Sequence, residues 1–162
     1  MSKETTIFDL LLQQRDEERE ARKTAKVVLK GKDLPLENNR MGHYRWYLHP
    51  YRIDAPHRGL QLWVEEIPPG SKSGKQLIQG GRIHHVWEGR GYTEVDGVRH
   101  DWKEGDIILL PIKGHGVTYQ HFNLDPQKPA LLISAEPNLA QAYGIDKGSG
   151  FEVLEDSPDY KP

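Results

Sequence analysis

His84 and His121 are the side chains with the most chemistry to offer. The chain has 162 residues with eight histidines and no cysteine. Thiolate nucleophiles, disulfides and cysteine-rich zinc sites are therefore excluded. Two neutral imidazoles with water or a carboxylate bind zinc, iron or nickel. The same pair serves equally as an acid–base couple near neutrality, with Tyr119 as a proton donor. Side chains alternate across a strand, so Tyr119 and His121 share one face. Arg82, His84 and Val86 share another, with His85 and Trp87 opposite. Arg82 offers a fork of donors that fits a carboxylate, and its permanent charge opposes a neighbouring cation. The plain alternatives are two hydrogen-bonded core histidines and an Arg82 that points to solvent or pairs with Glu94.

Other motifs carry less. His100 follows a hairpin, and His115 lies in a glycine-flanked loop. No HxH or GxSxG pattern occurs, and the glycine runs do not link a strand to a helix as phosphate cradles do. Glu65, Glu66, Glu88, Glu94 and Asp96 read as turn or outward-facing residues, and no carboxylate pair stands out.

The elements that position these residues are mostly short strands. Leu60, Leu62 and Val64 alternate with Gln61, Trp63 and Glu65. Further strands are predicted over Lys75–Ile78, Arg82–Glu88 and Val117–Asn123, with Asp96-Gly97 as a two-residue hairpin turn. Before them, Thr5 to about Val28 reads as a helix capped by Thr5 or Thr6. Its thin apolar stripe of Ile7, Leu10, Leu11, Ala21, Ala25 and Val28 suits an arm that embraces another subunit or a partner protein. Residues 40–58 interleave arginine with aromatic residues in the manner of an interface.

The blocks HHVWEGRGYTEVDG, EGDIILLP and HFN resemble the cupin family, small barrels that usually hold one metal ion. The resemblance covers roughly residues 60–137 and is nearest to single-domain bacterial cupins related to the gentisate dioxygenases, which open aromatic rings with a mononuclear iron. It implies an all-β fold, a double-stranded β-helix or jelly-roll barrel with an N-terminal helical arm. Aligned through Gly89 and Asn123, the four metal-ligand positions of the family fall on Gln76, Ile78, Arg82 and Tyr119, none a usual ligand there. The implied cavity lining is Gln76, Ile78, Arg82, His84, Tyr119 and His121.

Three domains of activity follow as expectations. A metal-independent isomerase or lyase would use His84, His121 and Tyr119 catalytically, with Arg82, Gln76 and Ile78 binding a carboxylate-bearing substrate and no cofactor. A non-catalytic subunit or ligand sensor would assemble through the arm. A divergent metal-dependent dioxygenase would rebuild a site for one divalent ion, iron or zinc, on His84 and His121, with Gln76 or Tyr119. The expected organisation is an arm and linker over 1–39, a barrel with its leading segment over 40–137 and an irregular tail over 138–162. A homodimer is expected. A net charge of −2 argues against nucleic acid, and the apolar runs are too short to span a bilayer. No secretory signal is read at the start, and a cytoplasmic protein is expected.

Overall fold

The computed structural model describes residues 5–52, 54, 59–139 and 152–162. Pro56, His57 and Arg58 of the arginine- and aromatic-rich segment lie outside the described residues. The helix α1 spans Ile7–Lys23, shorter than the sequence pattern suggests. Thr6 caps it: its hydroxyl accepts from the Asp9 amide at 3.1 Å, and Asp9 accepts from the Thr6 amide at 2.9 Å. This reciprocal box satisfies two amides that the first turn leaves without partners. Arg22 and Lys23 stand at the other end, where positive charge suits the helix dipole. None of its residues is buried.

Eleven strands follow among the described residues: β1 Glu37–Asn39, β2 Gly42–Leu48, β3 Leu60–Ile67, β4 Lys75–Ile78, β5 Ile83–Glu88, β6 Arg90–Val95, β7 Val98–Lys103, β8 Ile107–Leu109, β9 Val117–Asn123, β10 Ala130–Pro137 and β11 Glu152–Glu155. They form two antiparallel sheets, in the orders β1-β2-β3-β10-β5-β8 and β11-β4-β9-β6-β7. This is the jelly-roll barrel expected, with the helix before it. The Asp96-Gly97 turn has both residues at positive φ (50° and 80°), the backbone that matches the twist of a tight hairpin.

Two boundaries differ from the expectation. The barrel's first sheet begins with β1, before residue 40, and its second ends with β11, beyond residue 137. The end of the chain is also less irregular than its polar composition suggests. β11 pairs with β4, the Ser157 amide donates to the Arg40 carbonyl at 2.8 Å, and Ser71 bonds Asp159. Backbone pairing at a sheet edge needs no apolar side chains, so hydropathy does not signal it.

The interior holds both apolar clusters and buried polar side chains. Ile67, Val86, Trp102, Ala130 and Leu132 form one cluster; Ile78, Leu110, Val117 and Tyr119 form a second. Met41, Tyr44 and Trp63 make a third, joined by Trp46 and Val153. Gly91 is required for the first, because a Cβ there would come within 2.6 Å of the Trp102 ring and 1.9 Å of the Phe122 carbonyl.

Candidate functional site

Alternation places the polar residues. On β5, His84 and Val86 are buried while His85 and Trp87 are exposed. On β9, Tyr119 and His121 are buried; on β4, Gln76 and Ile78 are. Gln76 sits opposite Tyr119 in the β4–β9 pair, and His84 sits opposite Ser134 in the β5–β10 pair. The six residues inferred to line the cavity are thus all interior, arranged in two polar layers and an apolar remainder.

The first layer is built on Arg82. Its Nε donates to Glu136 Oε2 at 2.8 Å, and its Nη1 donates to Gln76 Oε1 at 2.9 Å and to the Tyr119 hydroxyl. Gln76 Nε2 in turn donates to the Tyr44 hydroxyl at 3.3 Å. The guanidinium also lies 5.0 Å from the Trp63 ring and 5.6 Å from that of Tyr119, within cation–π range. Three of the four positions where the sequence resemblance puts metal ligands therefore bond one another, and a guanidinium supplies the positive charge. The partner of Arg82 is Glu136, not Glu94, and the side chain is closed to solvent. Ile78, the fourth position, packs with Leu110, Val117 and Tyr119 and presents no polar atom.

The second layer holds His84, His121 and Glu65. The two imidazoles meet edge to face, centroids 4.5 Å apart. His84 Nδ1 lies 2.7 Å from Ser134 Oγ, and His121 Nδ1 lies 2.7 Å from Thr93 Oγ1. Thr93 Oγ1 also accepts from Trp102 Nε1 at 2.9 Å. A hydroxyl oxygen accepts two hydrogen bonds. With Nδ1–H of His121 donating as the second, Nε2 keeps its lone pair. Both Nε2 atoms are buried without a hydrogen-bond partner among the described residues, and the buried Glu65 carboxyl has the Tyr44 hydroxyl beside it. One ligand atom from each of the three residues lies within 4.8 Å of the other two. Buried polar atoms normally find partners, so a cluster of orphans calls for an ion or water.

The sequence pattern reads Glu65 as a turn or outward residue. It is instead 1 % exposed on β3. The reason is that the outer face of β3 is covered too: Val64, opposite in orientation, is itself buried. The strand therefore breaks the rule that the apolar side faces in, and Gln61, Trp63 and Glu65 point into the barrel. The sequence does contain their alternation. Glu136 carried no such mark, because its partner lies 54 residues away.

Burial governs the titration of these groups. It pushes the Glu65 carboxyl up to about 8, with the Arg82 charge pulling the other way. It pushes His121 down to about 3, assisted by Arg82. His84 falls well below the ordinary imidazole range through burial, then through His121 and Arg82. The Tyr119 hydroxyl is raised, again chiefly by burial. Both imidazoles are therefore neutral at pH 7, the form that ligates a metal.

The fit to a single divalent ion is good. Two imidazole nitrogens and one carboxylate suit iron or zinc, and hydroxyls on both Nδ1 atoms fix the rings as outer partners of ligating histidines do. Gln76 and Tyr119, considered as third ligands, are committed to Arg82.

No family model matches the sequence, and no curated protein matches it. Solved structures do resemble it. A predicted oxalate decarboxylase from Thermotoga maritima superimposes with a TM-score of 0.56 at 18% identity, covering 67% of this chain and 96% of its own. The polyketide cyclase RemF from Streptomyces resistomycificus gives 0.58 at 13% identity, covering 69% and 79%. A cupin 2 conserved barrel domain protein from Salinispora arenicola gives 0.50 at 22% identity, covering 68% and 85%.

Proposed function

On a chain that has the cupin fold, with the fold's usual ligand positions given over to an arginine network, we propose a relocated mononuclear metal site on Glu65, His84 and His121, serving chemistry on a small organic molecule. The observation that carries this reading is the convergence of one ligand atom each from Glu65, His84 and His121 within 4.8 Å of one another, in an interior where both imidazole Nε2 atoms lack a hydrogen-bond partner. A divalent ion held by Glu65, His84 and His121 would supply Lewis-acid or redox chemistry there.

The chain's own residues account for the rest. Ser134 and Thr93 hold the two imidazoles at Nδ1. Trp102, through Thr93, locks the second of these contacts. Burial keeps Glu65 protonated near neutrality, and a cation bound there would require it to give up that proton. Arg82 stays charged, balanced by Glu136, and keeps Gln76 and Tyr119 in place. Neighbouring structures with a decarboxylase or cyclase name are consistent with small-molecule chemistry on this fold.

The metal-independent reading is less well supported. Its named acid–base groups do not titrate near pH 7, because burial pushes His84 and His121 below that range and Tyr119 above it, which leaves Glu65, at about 8, as the one group of the cluster that does.

The test is elemental analysis of protein purified without chelator, alongside Glu65→Gln and His121→Ala. About one iron, zinc, manganese or nickel per chain, lost in both variants, supports the site. Metal content well below one per chain that added Fe(II) or Zn(II) does not restore rules it out.

A further inference from the structure

A second set of buried polar atoms stands one step along the strands from Glu65, His84 and His121. Arg82 Nη2, Trp63 Nε1, Gln61 Oε1 and Glu136 Oε1 have no hydrogen-bond partner among the described residues. None of the four residues is more than 2 % exposed. We infer that these four atoms form a subsite for a vicinal diol, the hydroxyl-bearing end of a small organic molecule.

Strand register brings the four together. Gln61 lies directly opposite Glu136 in the β3–β10 pair, and Trp63 opposite Ser134. Residues so opposed hold their Cβ atoms about 4.5–5.5 Å apart. Arg82 closes the set: its Nε donates to Glu136 Oε2 at 2.8 Å, and its guanidinium lies 5.0 Å from the Trp63 ring. A guanidinium and a carboxylate often pair through two parallel bonds. Here they share one, so Nη2 and Glu136 Oε1 do not satisfy each other. Nη1 is committed to Gln76 and Tyr119, which leaves Nη2 as the free corner of the fork.

The chemistry of the four atoms selects the ligand. Arg82 Nη2 and Trp63 Nε1 only donate; Gln61 Oε1 and Glu136 Oε1 only accept. A carboxylate satisfies the two donors but sets its lone pairs against the two acceptors, and an ammonium does the reverse. Either also adds a third charge beside a buried ion pair that is already balanced. A hydroxyl both donates and accepts, so two adjacent hydroxyls answer all four atoms and bring no charge. On the same faces, Glu65 stands two residues beyond Trp63 on β3, and His84 two residues beyond Arg82. Two residues of strand span about 7 Å. A molecule with its diol at this subsite therefore presents its other end to Glu65, His84 and His121. That last step, which makes the ligand a substrate, rests on the metal site proposed above; the subsite itself does not.

The experiment follows the Trp63 indole N–H signal by NMR, assigned with Trp63→Phe, as chelator-treated protein is titrated with propylene glycol, propanol and propionate. The diol is expected to move the signal saturably, and the other two to bind at least about tenfold more weakly. Gln61→Met removes one acceptor while keeping the length of the side chain, and is expected to weaken the diol at least about tenfold. Trp63→Phe, read by calorimetry, is expected to do the same through the loss of a donor. Equal binding of the three probes, a signal that the diol does not move, or unchanged affinity in both variants overturns the inference; the second of these leaves buried water as the partner of the four atoms. The link to the metal site is read with 4,5-dihydroxypentanoate, expected to bind Zn(II)-loaded protein at least about tenfold more tightly than chelator-treated protein. Equal affinity overturns the assignment of the diol to a substrate of that site. Because the diol titration uses metal-free protein, its outcome is independent of the elemental analysis.

Discussion

Arg82 and Glu136 form a 2.8 Å ion pair with both side chains closed to solvent. Two charges taken out of water are tolerated only while each has the other. Glu136→Gln leaves the guanidinium short of its counter-charge, and Arg82→Met strands the carboxylate. Each single change is expected to cost about 3–5 kcal/mol of folding stability. The double change Arg82→Met with Glu136→Leu is expected to recover most of that. Urea unfolding of the three variants measures it, and additive losses in the double variant would contradict the pairing.

The hydroxyls behind the imidazoles are expected to matter to metal affinity without touching the ion. Ser134→Ala and Thr93→Val remove the partners of His84 and His121 Nδ1. Each is expected to lower affinity for Zn(II) by about 10–100-fold. Competition with a chromophoric chelator reads this out, and Thr93→Ser, which keeps the hydroxyl, is expected to restore it.

Metal-free protein is expected to show a stability maximum near neutrality with an unusual alkaline decline. Glu65 keeps its proton up to about 8 when folded, against 4.5 in the open chain. The folded state binds more protons across that window, so stability falls as pH rises from 4.5 to 8. His121 has the opposite sign: folded at about 3 against 6.5, it adds stability as pH rises through that range. His84 acts in the same direction. Two rising contributions outweigh one falling one up to about 6.5, and only the fall remains above it. Chemical denaturation from pH 4 to 9 tests the profile. Glu65→Gln is expected to abolish the decline above 6.5, and its persistence would assign the decline to another group.

The helix α1 is expected to be dispensable for the barrel. It buries none of its residues, and Ile7, Phe8 and Leu11 are well exposed. Removing residues 1–23 is expected to change the unfolding free energy of the remainder by about 0.5 kcal/mol or less, as for surface changes generally. A larger loss at micromolar protein that shrinks on dilution would instead show that the helix acts between copies.

Much of this was legible from residues alone, for a physical reason. Gly89, the Asp96-Gly97 turn and the apolar–polar alternation of Val117–Asn123 are local, and local signals fix strand and turn positions. The same alternation places His84 and His121 inside and His85 outside. What escaped was set by distant parts of the chain. Glu65 looks solvent-facing until Val64 is seen to be covered on the other side. Glu136 looks like one more charge on a strand until Arg82 reaches it. The strand β11 has too few apolar residues to announce itself and exists through backbone pairing with β4.

That last strand has a consequence for how the molecule comes together. Arg40 bonds Asp156 across 116 residues of sequence, and Asn38 bonds the Asp159 carbonyl across 121. Such distant contacts close slowly, because the whole intervening loop must first be ordered. The β11–β4 edge therefore closes late, and a chain truncated before β11 is expected to keep the Arg82 network while losing the bonds that Arg40 and Asn38 make to residues 156 and 159.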